Sequence, residues 1–261
     1  AVMTAEKSGY LAQIYLAGSD RGQPQQLTAD EVSSSGPQWS PDGRSIAFLS
    51  QDNVWLISVD TGHAQQITDV PTGVSSFKWS PDGGMLAFTA LGEPAPEEAQ
   101  AVREKNDPRV VGQGHRKRRL CVVTLAEIAG GPQRGRSLTE NGIHVGSPEV
   151  PEAYNWSPDG QTIVFSHSRS SSPNDWPSTR LARLNLADGS MKPLGPDNAV
   201  VWDPHISPDG RWVAVKVYDN PAWEWSSVVH ILPTEGGPAR PLAETPDRRP
   251  DLLGWSADGS W

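Results

Sequence analysis

A single cysteine, Cys121, stands in 261 residues, so no disulfide can form within the chain. Its setting, Leu120-Cys121-Val122-Val123, fits a small buried hydrophobe. No stretch approaches the roughly 20 consecutive apolar residues of a transmembrane helix, and no secretory signal peptide stands in these residues. The six histidines, His63, His115, His144, His167, His205 and His230, form neither an i,i+4 pair nor a Cys-His cluster. No metal and no cofactor is therefore expected. Basic residues are in deficit: 22 Lys and Arg against 31 Asp and Glu leave a net charge of −9. That balance argues against nucleic acid as the main partner and favours solubility.

What the chain has in quantity is turns. Gly 25 and Pro 24 accompany apolar strands that recur throughout, which fits one substantial all-β domain rather than disorder. Trp-Ser-(Pro/Ala)-Asp-Gly occurs at Trp39, Trp79, Trp156 and Trp255, and Ile206-Ser207-Pro208-Asp209-Gly210 lacks only the tryptophan. The starts are 40, 77, 50 and 49 residues apart, a period that points to a propeller or another stacked array. Proline presets φ at the second turn position, Asp suits the third, and Gly accepts the left-handed closing position. Each pentapeptide thus reads as a hairpin connection with Trp ending the strand before it. Ile46-Ala47-Phe48, Leu86-Ala87-Phe88, Ile163-Val164-Phe165 and Val213-Ala214-Val215 then read as the strands that follow.

A second half-repeat interleaves with the first: a short apolar strand, a turn, and a strand ending in Leu/Ile-Thr. Its copies run from Gln13 to Thr28, Asn53 to Thr68 and Leu120 to Thr139, with weaker ones from Leu181 to Gly195 and Val228 to Ala243. Together the halves predict a β-propeller of four-stranded antiparallel blades, about five units in a single domain over 1–261. The units are expected near 1–28 (partial), 35–68, 75–139, 152–195, 202–243 and 252–261 (partial). The bulky residues Trp39, Phe48, Trp55 and Phe88 are expected to be buried between sheets. The partial units could pair to complete a blade, or the chain could be cut from a longer array; the spacing and the ends favour a fragment.

Two stretches break the period. Between Phe88 and Leu120 lies a charged insertion ending in His115-Arg116-Lys117-Arg118-Arg119. Such a run is most often solvated, although it can contact an acidic partner. Ser168 to Pro177 is a polar loop with one aromatic, Trp176, which either anchors a ligand or packs over a blade edge. Arg116, Arg118, Arg119 and Trp176 are the candidate substrate or partner contacts. The turn aspartates Asp42, Asp82, Asp159, Asp209 and Asp258 are expected to serve their turns and to sit far apart. Paired glycosidase carboxyl groups would instead lie within about 5–9.5 Å.

The Trp-Ser-Pro-Asp-Gly units followed by Ile-Ala-Phe resemble the propeller repeats of TolB-like proteins and of the prolyl oligopeptidase family of serine peptidases. The stretch Arg103-Glu104-Lys105-Asn106-Asp107-Pro108-Arg109-Val110-Val111 leading into Arg118-Arg119-Leu120 looks like a charged segment of the acylaminoacyl-peptidase and dipeptidyl-aminopeptidase branch. Pro173-Asn174-Asp175-Trp176 with Arg180-Leu181 tilts the same way. The resemblance implies a propeller that gates peptide substrates for a downstream α/β-hydrolase domain. A TolB-like binding propeller without enzymatic activity is the alternative. The first implies a cytoplasmic protein and the second a periplasmic one. A hydrolase would need Gly-x-Ser-x-Gly followed by Asp and His. Gly254-Trp255-Ser256-Ala257-Asp258 puts Asp where the second Gly belongs, so no catalytic residue is expected in this chain.

Overall fold

Each pentapeptide closes on itself through its serine as well as its glycine. In the computed structural model, Gly43 adopts φ 70°, and its N–H donates to the Ser40 carbonyl at 2.9 Å. The Ser40 hydroxyl donates to Asp42 Oδ1 at 2.6 Å and accepts the Ser45 N–H at 2.9 Å. Asp42 Oδ1 also accepts the Arg44 N–H at 3.1 Å. The same set recurs at Ser80 and Asp82, at Ser157 and Asp159, and at Ser207 and Asp209. Asp is therefore a structural residue of the turn, as its position in the repeat implies. The serine, which the repeat alone leaves without a role, bridges turn and strand.

The structure describes residues 2–6, 9–19, 22–29, 31–105, 116–139, 142–146, 153–218, 227–242, 252, 254–256 and 258–259. His115, the Asn106–Val111 part of the insertion, Ala243, Leu253 and Ala257 lie outside them. The backbone divides into two compact units, residues 1–90 with 122–136 and residues 91–121 with 137–261. In the first, β1 (Val2–Glu6) pairs with β2 (Gly9–Gln13), and β3 (Tyr15–Leu16) with β4 (Gln25–Gln26). A four-stranded antiparallel sheet follows in chain order: β5 (Ser34–Trp39), β6 (Ser45–Ser50), β7 (Asn53–Ser58) and β8 (Ala64–Gln66). The next sheet has β9 (Val74–Trp79), β10 (Met85–Leu91), β11 (Arg118–Thr124) and β12 (Arg136–Ser137), again in order. The insertion between β10 and β11 is not all loop, because α1 (Pro96–Arg103) forms there, with Glu97 and Glu98 in its first turn and Arg103 in its last. Those charges complement the helix dipole.

The second unit holds β13 (His144–Val145), β14 (Tyr154–Trp156), β15 (Thr162–Ser168), β16 (Arg180–Asn185) and β17 (Met191–Leu194) in one sheet. Four strands were expected, and β13 makes a fifth. The reason is length: β14 pairs only with Ile163–Phe165, leaving His167 and Ser168 of β15 to pair with Val145 and His144. The last sheet, β18 (Val200–Ile206), β19 (Trp212–Tyr218), β20 (Val228–Pro233) and β21 (Arg240–Pro241), returns to four strands in order. Meandering four-stranded antiparallel sheets with one turn motif each make this an all-β propeller domain.

Apolar faces between sheets form the cores. In the first unit Ile14, Ile46, Phe48 and Ile57 cluster; in the second, Val164, Leu181, Val201, Val213, Val215 and Leu232 do. Phe88 is fully buried, and a Cβ on Gly135 (φ 75°) would lie 2.6 Å from its ring, so only glycine fits there. Trp55 is half-buried, with its Nε1 donating to the Ser50 carbonyl. Trp39 departs from the expected burial, being 51% exposed. The Leu/Ile-Thr pairs also differ from expectation, for they follow the outer strands rather than ending them. There Thr28, Thr68 and Thr139 accept the backbone N–H of Ile14, Val54 and Leu120, continuing each ladder with a side chain.

Neighbouring turns nest. Within the first unit Pro41 touches Gly83, whose added Cβ would sit 3.3 Å away; in the second, Pro158 meets Gly210 in the same way. Asp42 and Asp82 line one small cleft with Ser40, Trp79 and Leu125. Adjacent turn aspartates are thus closer than repeat spacing implies, because the turns pack edge to edge. Each carboxylate is nevertheless occupied by its own serine and backbone N–H. The serine hydrogen bond, then the backbone N–H, holds the carboxyls of Asp42, Asp82, Asp159 and Asp209 below 3.8, Asp209 at about 2. A depressed carboxylate contributes stability that is present above its unfolded pKa and lost as pH falls through its folded one. Ser157→Ala should therefore lower unfolding free energy by about 1–3 kcal/mol at pH 7. The deficit should narrow below pH 3.8 as Asp159 protonates, measured by urea denaturation at a series of pH values.

Candidate functional site

One strand breaks the repeat chemistry. In β5 the segment Ser35-Gly36-Pro37-Gln38 makes a bulge, with a register shift between Ser35 and Gln38 and φ 60° at Gly36. β18 has the same bulge in Trp202-Asp203-Pro204-His205, but Asp203 holds the left-handed position at φ 56°. Glycine takes that conformation without steric cost, whereas Asp retains it only under compensation.

The compensation is electrostatic. Asp203 Oδ2 lies 3.2 Å from Lys216 Nζ, and Oδ1 lies 3.1 Å from His205 Nε2. Lys216, directly across the ladder from Trp202, is buried, while Asp203 and His205 keep about a quarter of their side chains in solvent. Burial raises the Asp203 pKa, but the His205 hydrogen bond and the charges of His205 and Lys216 outweigh it, so the carboxyl ends below its ordinary value. Lys216 Nζ also sits 5.0 Å from the Trp202 ring centroid, a cation–π contact.

Aromatics extend the cluster. Trp202 stacks on Tyr218 with centroids 6.0 Å apart, and Trp176 meets Tyr218 edge-on at 4.9 Å. Trp176 arrives on a 3-10 turn, Pro173–Ser178, which Ser172 caps by accepting the Asn174 N–H. Ser170 bonds Asp175 within the same loop. Trp176 therefore packs over a blade edge against Tyr218, yet stays half-buried. Sequence reasoning singled out Trp176 as a candidate contact and did not single out Asp203, His205, Lys216, Trp202 or Tyr218, which cluster around it or its neighbours. The available signal was Asp203 standing where the earlier copy has Gly36.

The basic run has a different setting. Arg116 Nε faces Glu98 of α1 at 3.9 Å. The Arg118 backbone N–H donates to His144 Nδ1 at 2.9 Å, so the neutral ring carries its proton on Nε2, 3.5 Å from Arg118 Nη1. His144 is fully buried. Burial first, then the Arg118 and Lys117 charges, lowers its pKa to about 4. Arg119 covers Gly92. Arg118 thus belongs to a junction between β11 and β13. Cys121 is buried as expected, and burial pushes its thiol up to about 11 against the opposing pull of Ser137 and Arg119. Among the described residues no group of His, Cys, Asp and Glu could hold a metal ion. None of their helices is long and apolar enough to cross a membrane.

The blades define the class, a β-propeller domain, and known proteins narrow it. Residues 5–111 match the model of the dipeptidyl peptidase IV (DPP IV) N-terminal region. A stretch of 74 residues, 28% of the chain, is 40% identical to Tricorn protease homolog 1 of Streptomyces coelicolor, covering 7% of that protein. Acylaminoacyl peptidase of Pyrococcus horikoshii superimposes with a TM-score of 0.66 at 18% identity, over 97% of this chain and 38% of that one. Putative TolB of Agrobacterium tumefaciens gives 0.54 at 16%, over 85% and 66%. The chain is a propeller domain similar in fold to TolB and to acylaminoacyl peptidase, and its residues 5–111 match a peptidase N-terminal region. It spans less than half of the acylaminoacyl peptidase and under a tenth of the Tricorn homologue.

Asp203→Asn keeps a side chain tolerant of positive φ but removes the charge opposite buried Lys216. We expect a loss of about 1–3 kcal/mol at pH 7, read by chemical denaturation. His144 has the opposite chemistry and its own pH window. Between about 4 and 6.5 the unfolded chain binds a proton that the folded one refuses, so stability should fall as pH drops through that range. His144→Asn retains an acceptor for the Arg118 N–H and cannot titrate, so the difference between its melting temperatures at pH 7 and pH 5 should shrink.

Proposed function

We propose that this propeller is the non-catalytic portion of a prolyl-oligopeptidase-like serine peptidase, where it selects peptides for an α/β-hydrolase domain of the same parent chain. The observation that carries the reading is the match of residues 5–111 to a peptidase N-terminal region. The stretch shared with a Tricorn protease homologue supports it. Peptide substrates would meet the polar and aromatic patch around Trp176, Trp202, Asp203 and His205. Aromatic faces supply contact area there, and Asp203 and His205, each about a quarter exposed, supply polar contacts. Arg116 on the insertion and Arg119 at the start of β11 are the second contact region.

The similarity to TolB of Agrobacterium tumefaciens, of which this chain covers 66%, supports a second reading, a protein-binding propeller without an enzyme. Peptide hydrolysis separates the two. The 261-residue chain alone should leave fluorogenic peptides of graded length uncut. The parent protein should cleave them with a length cutoff that shifts in Trp176→Ala and in an Arg116→Ala, Arg119→Ala variant. A parent with no peptidase activity would overturn the proposal, and an unmoved cutoff would remove these residues from it.

A further inference from the structure

Three tryptophans of the blades pair their indole N–H with backbone. Trp55, Trp79 and Trp255 point Nε1 at the carbonyls of Ser50, Gln38 and His205, at 3.1, 3.4 and 2.8 Å. Trp202 does not follow them. Part of its ring reaches solvent, but its Nε1 is covered and finds no acceptor among the described residues. A buried donor without a partner is rare and costs free energy.

The fold does not require this tryptophan. In β5 the residue before the bulge is Ser35, opposite Leu49; in β18 it is Trp202, opposite Lys216. The two replacements belong together, because Lys216 Nζ lies over the Trp202 ring while Asp203 matches its charge. The 3-10 turn Pro173–Ser178 packs on β15 and β18 beside them. Its Trp176 ring meets Tyr218 by an edge, and Tyr218 stacks on Trp202.

We propose that Trp202 Nε1 is a ligand donor, giving its hydrogen bond to a backbone carbonyl of a bound peptide once the Trp176 side chain turns aside. This rests on the reading above, that peptides meet this patch. The acceptor is a neutral amide rather than a carboxylate, because the Lys216 charge beside the ring is already matched by Asp203. The peptide carbonyl then does for Trp202 what Ser50, Gln38 and His205 do for the other three indoles.

Nuclear magnetic resonance of the nitrogen-15-labelled chain with an uncharged probe, N-acetyl-tetraalanine amide, tests this without a hydrolase domain. The Trp202 indole N–H resonance, assigned by its loss in Trp202→Phe, should move downfield as peptide is added and exchange more slowly with heavy water. The Trp55 and Trp255 indole resonances, already bonded, should stay in place. Trp202→Phe keeps an aromatic ring and loses the N–H, so it should bind the peptide about tenfold more weakly, the worth of one well-placed hydrogen bond. Trp176→Ala should speed exchange of the Trp202 N–H in the free chain; unchanged exchange would remove Trp176 as its cover. A Trp202 resonance unmoved by the peptide would overturn the proposal whatever activity the parent protein has, as would undiminished binding by a folded Trp202→Phe chain. A parent without peptidase activity whose Trp202 resonance still moves would uphold the Trp202 contact and overturn only the peptidase reading.

Discussion

The bond on which the rest depends is the one from the turn serine to the turn aspartate. A β-turn with Pro and Gly is locally favourable but says nothing about the strand that leaves it. The Ser40 hydroxyl fixes both at once, donating a hydrogen bond to Asp42 and accepting one from the N–H of Ser45, the first residue of β6. Register in a sheet with period-two side chains is unforgiving, since a slip of one residue exposes the core face. The serine sets the register at its source. Val213, Val215 and Val217 on β19 consequently face the core that also holds Val164 and Leu181.

Much of this was legible because the repeat compares the chain with itself. Hairpins, strand positions and the structural role of Asp follow from five copies of one pentapeptide, and Cys121 from its apolar neighbours. What escaped depends on what faces each copy. Trp39 and Trp79 are the same residue in the same motif, yet only Trp79 has a Gln38 carbonyl opposite its indole. The extra strand β13 owes its existence to the length of β15, which no local pattern of His144 and Val145 announces. The threonines of Leu27-Thr28 and Ile67-Thr68 read as strand ends because threonine favours strands; their side chains instead replace a backbone partner.

The candidate site was least legible for the same reason. Trp176 stood out as an aromatic in a polar loop, whereas its partners looked like ordinary strand residues. Asp203 gains meaning only when β18 is laid over β5, and Lys216 only when the ladder places it opposite Trp202. A buried lysine on β19 faces a carboxylate and a histidine on the bulged edge strand β18, each with about a quarter of its side chain in solvent. Bulges recur where a sheet edge presents side chains for binding.

Within each unit neighbouring turns repeat one contact, Pro41 on Gly83 in the first and Pro158 on Gly210 in the second, so chain length is constrained there. The connection between β10 and β11 carries no such constraint, and it absorbs the helix α1 while the Ser80–Asp82 turn at the start of β10 keeps the geometry of its siblings. That connection is a natural port: a foreign domain spliced into it, with ends close together, would ride on the propeller without disturbing the strands on either side.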